Sequence, residues 1–372
     1  MRLHVDQRHE RVLALVRARG SVRVAELATE LGVSAVTLRR DVETLAAQGR
    51  VHRLHGTVVW PGDREETQLE EAREAREARE AQQRSPAPRR PDAEGLVLGM
   101  VVPTTGYYYA DVVQGAREAA EAHGARLVVG LSHYLPDEDA PQVKRLLSTG
   151  ANGLLLTPSW ERSAPEPGTG EWVAELDVPT VLVERWAPLG HPAAALDRVR
   201  TDHAYGAARA VEHLAGLGHR KVAIAAQENP HRGRLQAGYE AAVEALGLEP
   251  APVSPLDGKP AVSRAERFDR TLDYLCEAVE RHGVTAALVH SDADAIVLIP
   301  RLQARGVRVP EDLAVIAYDD EVAPLADVPL TAVAPAKREV GARAAELLIA
   351  RLTGRAGARQ HIDVLPELKV RS

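Results

Sequence analysis

Apolar positions recur at helical spacing in three short bursts over the first sixty residues. Val12, Leu13 and Val16 share a face, and Gly20 marks a stop. Val24, Leu27, Ala28 and Leu31 form a second stripe that ends at Gly32. Ser34 is suited to cap a third helix, in which Ala35, Leu38, Val42 and Leu45 step by three, four and three to make an inward face. At 100° per residue, Val36, Thr37, Arg40 and Glu43 then point away from the core, with Arg39 on the flank. Gly49 closes this helix, and VHRLHGTVVW reads as a short hairpin.

The pattern changes after residue 94. LVLGMVVP, ARLVVGLS, GLLLTP, TVLVER, KVAIAAQ, AALVHS and LAVIAYDD are short continuous apolar runs separated by amphipathic stretches. Runs of this kind predict an α/β body whose parallel sheets are flanked on both faces by helices. Between head and body, QLEEAREAREAREAQQR places Ala72, Ala75, Ala78 and Ala81 three apart, a spacing that drifts around a helix and makes no fixed stripe. Arg73 with Glu77 and Arg76 with Glu80 are spaced for ion pairs, so a solvated helical spacer is favoured over a coiled coil. SPAPRRP then breaks the helix. The expected division is 1–60 head, 61–94 linker and 95–372 body.

Charge sharpens this division. The net charge is −7, yet residues 1–60 hold ten Arg against six Asp and Glu, before His4, His9, His52 and His55 are counted. A basic head on an acidic body suits local attraction to phosphate. The third helix of a compact three-helix unit, exposing Thr and Arg, fits the DNA major groove, where Arg pairs with guanine. The competing reading is that Arg39 and Arg40 only solvate a surface helix. The lone cysteine, Cys276, lies in a helical run and excludes a disulfide framework or a Cys-based metal site. With no apolar signal segment and no long apolar run, a cytoplasmic protein is expected.

Ligands of parallel sheets bind beyond the carboxyl ends of the strands. Those positions here hold Thr104, Thr105, Tyr107, Tyr108 and Tyr109, then Ser132, His133 and Tyr134, Ser159 and Trp160, Arg185 and Trp186, and Asp202, Asp292 and Asp319. Aromatics are only 3% of the chain, so their gathering at strand ends stands out. Carboxylates and an arginine beside flat rings suit a sugar or nucleoside. Each also has a plain structural role open to it: Asp202 or Asp292 as a helix cap, Trp160 as a gap filler.

RHERVLALVRARGSVRVAELATELGVSAVTLRRDVETLAAQGRVHRLHGTVV resembles the winged helix-turn-helix of the DeoR family of bacterial regulators. That resemblance implies DNA contacts from Ser34, Thr37, Arg39 and Arg40, with Arg53 and His55 in the wing. One departure is Thr57, where the family usually has a second glycine. From residue 95 the chain resembles the effector-binding core of the LacI family, itself like periplasmic sugar-binding proteins. The motifs are LGMVVPTTGYYYADVVQGAREAAEAHG, RVRTDHAYGAARAVEHLAGLGHRKVAIAA, SDADA, VPEDLAVIAYDD, PLTAV and VLPELKVR. The resemblance implies two subdomains, about 95–199 with 329–360 and about 200–328 with 361–372. It also implies that Asp292 and Asp319 bind effector from the second subdomain, with Asp202 near the crossover and Arg185 and Arg234 beside them; the strand-end residues Thr105, Tyr107, Tyr109 and Trp160 complete the expected effector site. The family's arginine ahead of the Gly-Tyr helix lacks a clear register in HRGRLQAGY, where either Arg232 or Arg234 serves.

The LacI-type head and hinge helix are missing, as is the phosphosugar-isomerase-like sensor usual in DeoR proteins. No GxGxxG, Walker, HExxH, GxSxG or CxxC motif occurs. PDEDAP and YDDE lack the spacing of a calcium loop, and His213 and His219 have no nearby Cys partner. The expectation is therefore a hybrid, non-enzymatic regulator, most simply a repressor, that binds double-stranded operator DNA as a homodimer. It senses a sugar or nucleoside, with no cofactor, no metal and no membrane.

Overall fold

The computed structural model of the chain describes residues 5–19, 21–54, 57–60, 93–160, 163–226, 229–254, 263–327 and 329–371. The spacer expected over 61–94, with its alanine pattern and ion pairs, lies almost wholly outside the described residues, as do Gly20 and His55. The chain divides into two compact units, Met1–Pro88 and Arg89–Ser372.

In the first unit the helices are α1 (Val5–Arg19), α2 (Val24–Glu30) and α3 (Ala35–Ala47), and strands β1 (Ser21–Arg23), β2 (His52–Leu54) and β3 (Thr57–Val59) form an antiparallel sheet in the order β1-β3-β2. Val12, Val16, Leu27, Leu38, Val42 and Leu45 are buried together with Val22, Val51 and Val58. The apolar stripes therefore face one core, as their spacing predicts. Gly32 turns α2 into α3 with a φ of 64°, a conformation that glycine adopts without steric cost. Strand β1 was not expected, because three residues between two helices are too few to show a period of two.

The second unit holds two sheets. The first has the order β13-β8-β7-β6-β4-β5, built from β4 (Val97–Val102), β5 (Arg126–Leu131), β6 (Gly153–Leu156), β7 (Thr180–Val183), β8 (Asp197–Thr201) and β13 (His361–Val364). All its pairings are parallel. Helices α4 (Tyr108–Ala122), α5 (Pro136–Ser148) and α10 (Lys337–Leu352) cover it. Gly115 and Gly341 let α4 and α10 touch backbone to backbone: a Cβ on either would stand 1.9 Å from a carbonyl oxygen of the other helix.

The second sheet has the order β14-β12-β11-β10-β9, from β9 (Val222–Ala226), β10 (Ala286–His290), β11 (Ala314–Tyr318), β12 (Ala332–Ala334) and β14 (Glu367–Lys369). Only β14 runs antiparallel. Its helices are α6 (His203–Gly216), α7 (Arg232–Ala245), α8 (Arg264–His282) and α9 (Asp292–Ala304). Buried Cys276 sits in α8, where burial pushes its thiol pKa up. Among the described residues no helix is long and apolar enough to cross a membrane.

The chain crosses between the two lobes after β8, after β12 and after β13. Two expected subdomain bounds shift accordingly. Residues 329–334 fall with the second lobe, because β12 pairs with β11, and residues 361–364 fall with the first, because β13 pairs with β8. Both are short edge segments whose place is fixed by partners far away in sequence. The same holds for β8, whose polar DRVRT hides a strand. Asp197 is fully buried there but accepts hydrogen bonds from Arg351 at 2.7 and 2.9 Å, from Arg359 at 3.0 Å and from the amide of Gln360 at 2.7 Å.

Candidate DNA interface and effector cleft

The surface of α3 is built by its cap and its core stripe. Ser34 Oγ accepts from the Thr37 amide at 3.1 Å and lies 2.8 Å from the Thr37 hydroxyl, which fixes both polar side chains at the helix start. With Leu38, Val42 and Leu45 buried, Val36 is 65% exposed, Thr37 is half-buried, and Arg39, Arg40 and Glu43 are exposed. The helix thus presents the face that its spacing predicts. Arg53 lies in β2, in the wing.

An unforeseen pair holds this helix in place. Asp41, on α3, is buried and accepts from Arg8 Nε at 2.5 Å and Arg8 Nη2 at 2.9 Å, with His9 Nε2 at 3.1 Å. Burial acts to raise the Asp41 pKa, but the hydrogen bonds from Arg8 and His9 outweigh it and hold the carboxyl below its ordinary value. A group depressed in this way stabilises the fold above the ordinary carboxylate pKa, and the benefit fades as pH falls through the native value. Asp41→Asn is expected to destabilise the head by about 2 kcal/mol. Hydrogen exchange would show ~30-fold less protection of α3 amides at neutral pH, with the gap from the parent closing in acid.

In the second unit the strand-end residues converge between the lobes. Tyr107, before α4, reaches from the first lobe to the second: its hydroxyl donates to Asp292 Oδ1 at 2.5 Å and lies 3.4 Å from Asp319 Oδ2. Asp292 is fully buried, and its Oδ2 accepts from the amides of Val322 and Ala323 at 2.6 and 2.9 Å. Asp319 follows β11, with His290 Nε2 3.4 Å from its Oδ2. Partial burial and then the two carboxylates push the Tyr107 pKa up, which keeps its proton on as a donor, although the residue as a whole is 41% exposed. Tyr107, Glu184 and Asp319 all sit at positive φ, 49°, 55° and 96°, and such conformations gather at functional sites. Tyr107→Phe removes the bridge between lobes; at a side chain this exposed a loss of about 1 kcal/mol is expected. A calorimetric scan would place the sensor transition ~2–4 °C lower.

Arg185 is fully buried after β7. It donates to the carbonyls of Pro158 and Glu184 at 2.7 and 2.8 Å and to the Tyr109 hydroxyl at 3.3 Å, while its Nη2 lacks a hydrogen-bond partner among the described residues. Burial pushes the Tyr109 pKa up to about 12. Thr105 is exposed on the bend before Tyr107.

Other expected residues serve the fold. Asp202 caps α6 by accepting from the Tyr205 amide at 3.1 Å, and Arg234 comes no closer to it than an ion pair at 3.8 Å. Trp160 is only 9% exposed and packs in the first lobe's core with Val173, Leu182, Ala187 and Ala193. That packing fits the gap-filling role open to it.

Sequence reasoning missed a second polar cluster. Glu184 accepts from the Tyr108 hydroxyl at 2.7 Å, the Thr201 hydroxyl at 2.8 Å and the Thr201 amide at 3.1 Å. His203 lies 3.1 Å from the Tyr318 hydroxyl, and its ring centroid is 4.1 Å from that of His231. Burial acts to raise the Glu184 pKa, but His203 and the hydroxyl donors outweigh it and hold it below the ordinary value. Enclosure, then the nearby His203, Arg185, His290 and Arg200, holds His231 well below its ordinary value. Glu184, His203 and His290 each adjoin a residue that the strand-end rule did select, namely Arg185, Asp202 and, one step further on, Asp292.

Comparison with known proteins joins the two units. A DeoR-like helix-turn-helix domain profile matches residues 8–63, and a periplasmic binding protein-like domain profile matches residues 211–372. The transcriptional regulator CelR of Thermobifida fusca is 32% identical over 263 residues, 66% of this chain and 70% of that protein. The chain belongs to the LacI family of transcriptional regulators. Its head is the DeoR-like departure. The regulator is also 23% identical over 360 residues to the arabinose metabolism transcriptional repressor of Geobacillus stearothermophilus, which spans 93% of this chain and 89% of that one. A solved complex of the regulator CelR with cellobiose superposes with a TM-score of 0.61 at 27% identity, covering 94% of this chain and 98% of that one.

Proposed function

We propose that this regulator is a repressor of carbohydrate or nucleoside metabolism genes, holding a palindromic operator as a homodimer until a polyhydroxylated effector enters the cleft. The observation that carries the reading is the Tyr107 bridge to Asp292 and Asp319, which puts hydrogen-bonding groups of both lobes on one space. A ligand rich in hydroxyls satisfies those carboxylates and, with Arg185 and Tyr109 on the first-lobe side, draws on both lobes at once. On the DNA side the reading assigns base and backbone contacts to Ser34, Thr37, Arg39 and Arg40, with Arg53 on the flanking backbone. Relatives named for arabinose metabolism and solved with cellobiose support the sugar class. Closure changes the fit of the two heads to their half-sites, for which a coupling of about 1–3 kcal/mol suffices.

A thermal-shift screen of mono- and disaccharides and nucleosides tests the effector half of this reading. A true effector at 100 times its dissociation constant adds ~2.7 kcal/mol. Failure of every sugar and nucleoside to raise the sensor transition contradicts the assignment.

A further inference from the structure

Glu184, His203 and His231 each offer one ligand atom, and these atoms all lie within 4.8 Å of one another. They come from three segments, the residue after β7, the first residue of α6 and the residue before α7, so the cluster spans the two lobes. Glu184 and His203 are 1% and 3% exposed. No metal was expected from the sequence, where no two of these residues are close along the chain.

The hydrogen bonding leaves ligand atoms turned inward. Ser163 donates its proton to the Pro230 carbonyl at 2.6 Å, so toward His231 Nδ1, 3.2 Å away, it acts as an acceptor. Nδ1 of His231 therefore carries the proton and Nε2 holds the lone pair. The Tyr318 hydroxyl engages His203 Nδ1, while the buried His203 Nε2 has no hydrogen-bond partner among the described residues. That nitrogen faces Glu184 Oε2 at 3.7 Å. The separation is too long for an N–H···O bond, whose range is about 2.7–3.2 Å. It is close to the ~3.3–3.4 Å between two ligands of a tetrahedral ion with bonds of about 2.0–2.1 Å.

We propose that Glu184, His203 and His231 bind one divalent cation of the Zn2+ class, with a fourth coordination position open to water or a ligand hydroxyl. Two imidazoles and one carboxylate favour Zn2+ over Mg2+, which keeps to oxygen ligands. Ser163 and Tyr318 orient the imidazoles from behind, and Tyr108 and Thr201 hold the carboxylate. Because Glu184 belongs to the first lobe and His231 to the second, the ion ties the lobes together. The inference stands on the two-lobe sensor and does not depend on the sugar reading.

The test is titration of the chelator-treated, tag-free full chain with Zn2+ alone, in the absence of sugar and DNA. Expected results are one equivalent bound per chain, a raised melting temperature of the sensor, no such response to Mg2+, and visible ligand-field bands of a four-coordinate site with Co2+. His203→Asn and His231→Gln each weaken binding by ~100-fold or more, and Ser163→Ala, which frees the His231 ring and the Pro230 carbonyl but removes no ligand atom, weakens it by ~10-fold. Should His203→Asn fail to fold, the half-buried His231 and the Ser163 variant decide. Absence of stoichiometric Zn2+ binding by the folded parent, equal binding of Mg2+, or undiminished binding by folded His231→Gln overturns the proposal.

Discussion

Replacing Arg39 and Arg40 together by alanine is expected to lower operator affinity by ~100-fold or more while leaving effector binding unchanged. Both guanidinium groups stand exposed on α3, beside a cap that fixes the helix start and opposite the buried Leu38, Val42 and Leu45. A bidentate arginine contact to guanine contributes about 1–3 kcal/mol of discrimination, and a phosphate contact adds a salt-dependent share. Arg→Ala at exposed helix positions costs the fold little. Fluorescence anisotropy over a salt series separates the two roles. Loss at all sequences with a shallower salt slope marks phosphate contacts, whereas loss confined to the operator marks base reading. Unchanged affinity would return both residues to plain surface solvation.

The second large effect belongs to the cleft. Asp319→Asn keeps the shape of the side chain and, because asparagine tolerates positive φ well, the backbone at 96°. It exchanges one acceptor oxygen for a donor opposite the Tyr107 hydroxyl and His290. An effector hydroxyl that donates to this carboxylate then loses a charge-assisted hydrogen bond, about 2–3 kcal/mol or ~30–150-fold in affinity. Operator binding without effector stays at the parent value, so the variant represses through sugar concentrations that release the parent. Calorimetry with the effector found in the thermal screen reads the first quantity and anisotropy reads the second. Parent-like effector affinity in a folded Asp319→Asn removes Asp319 from the site.

How much of this was legible in the sequence follows from how local each signal is. The inward stripe of α3 is a matter of spacing alone, and the structure buries those of its members whose side chains are described. Seven apolar runs became strands β4, β5, β6, β7, β9, β10 and β11 for the same reason. Strands β8, β12, β13 and β14 escaped because they are short or polar, and their partners lie far off. Asp197 is acceptable inside β8 only because Arg351 and Arg359 arrive from more than 150 residues away. Asp41 escaped likewise, since its partner Arg8 is 33 residues earlier on another helix. In the cleft, the strand-end rule located ends that meet between the lobes, but not which side chains gather there. Asp292 and Asp319 converge as expected, yet Asp202 became a cap, Trp160 filled a core, and the neighbours Glu184, His203 and His290 turned inward instead. Which of two adjacent residues faces the cleft depends on the backbone at the strand end, as at Glu184 with its φ of 55°, and periodicity carries no information there.

The central claim is that one chain couples a DNA-reading α3 to a sugar-binding cleft. It is tested most directly by anisotropy of the purified full chain on the DNA upstream of its own gene, titrated with the effector identified in the thermal screen. Saturable binding that is weakened ~5–150-fold by the effector is the predicted result, in keeping with a coupling of about 1–3 kcal/mol. Failure to bind that DNA at low salt, or binding that is indifferent to a ligand known to occupy the cleft, would contradict it.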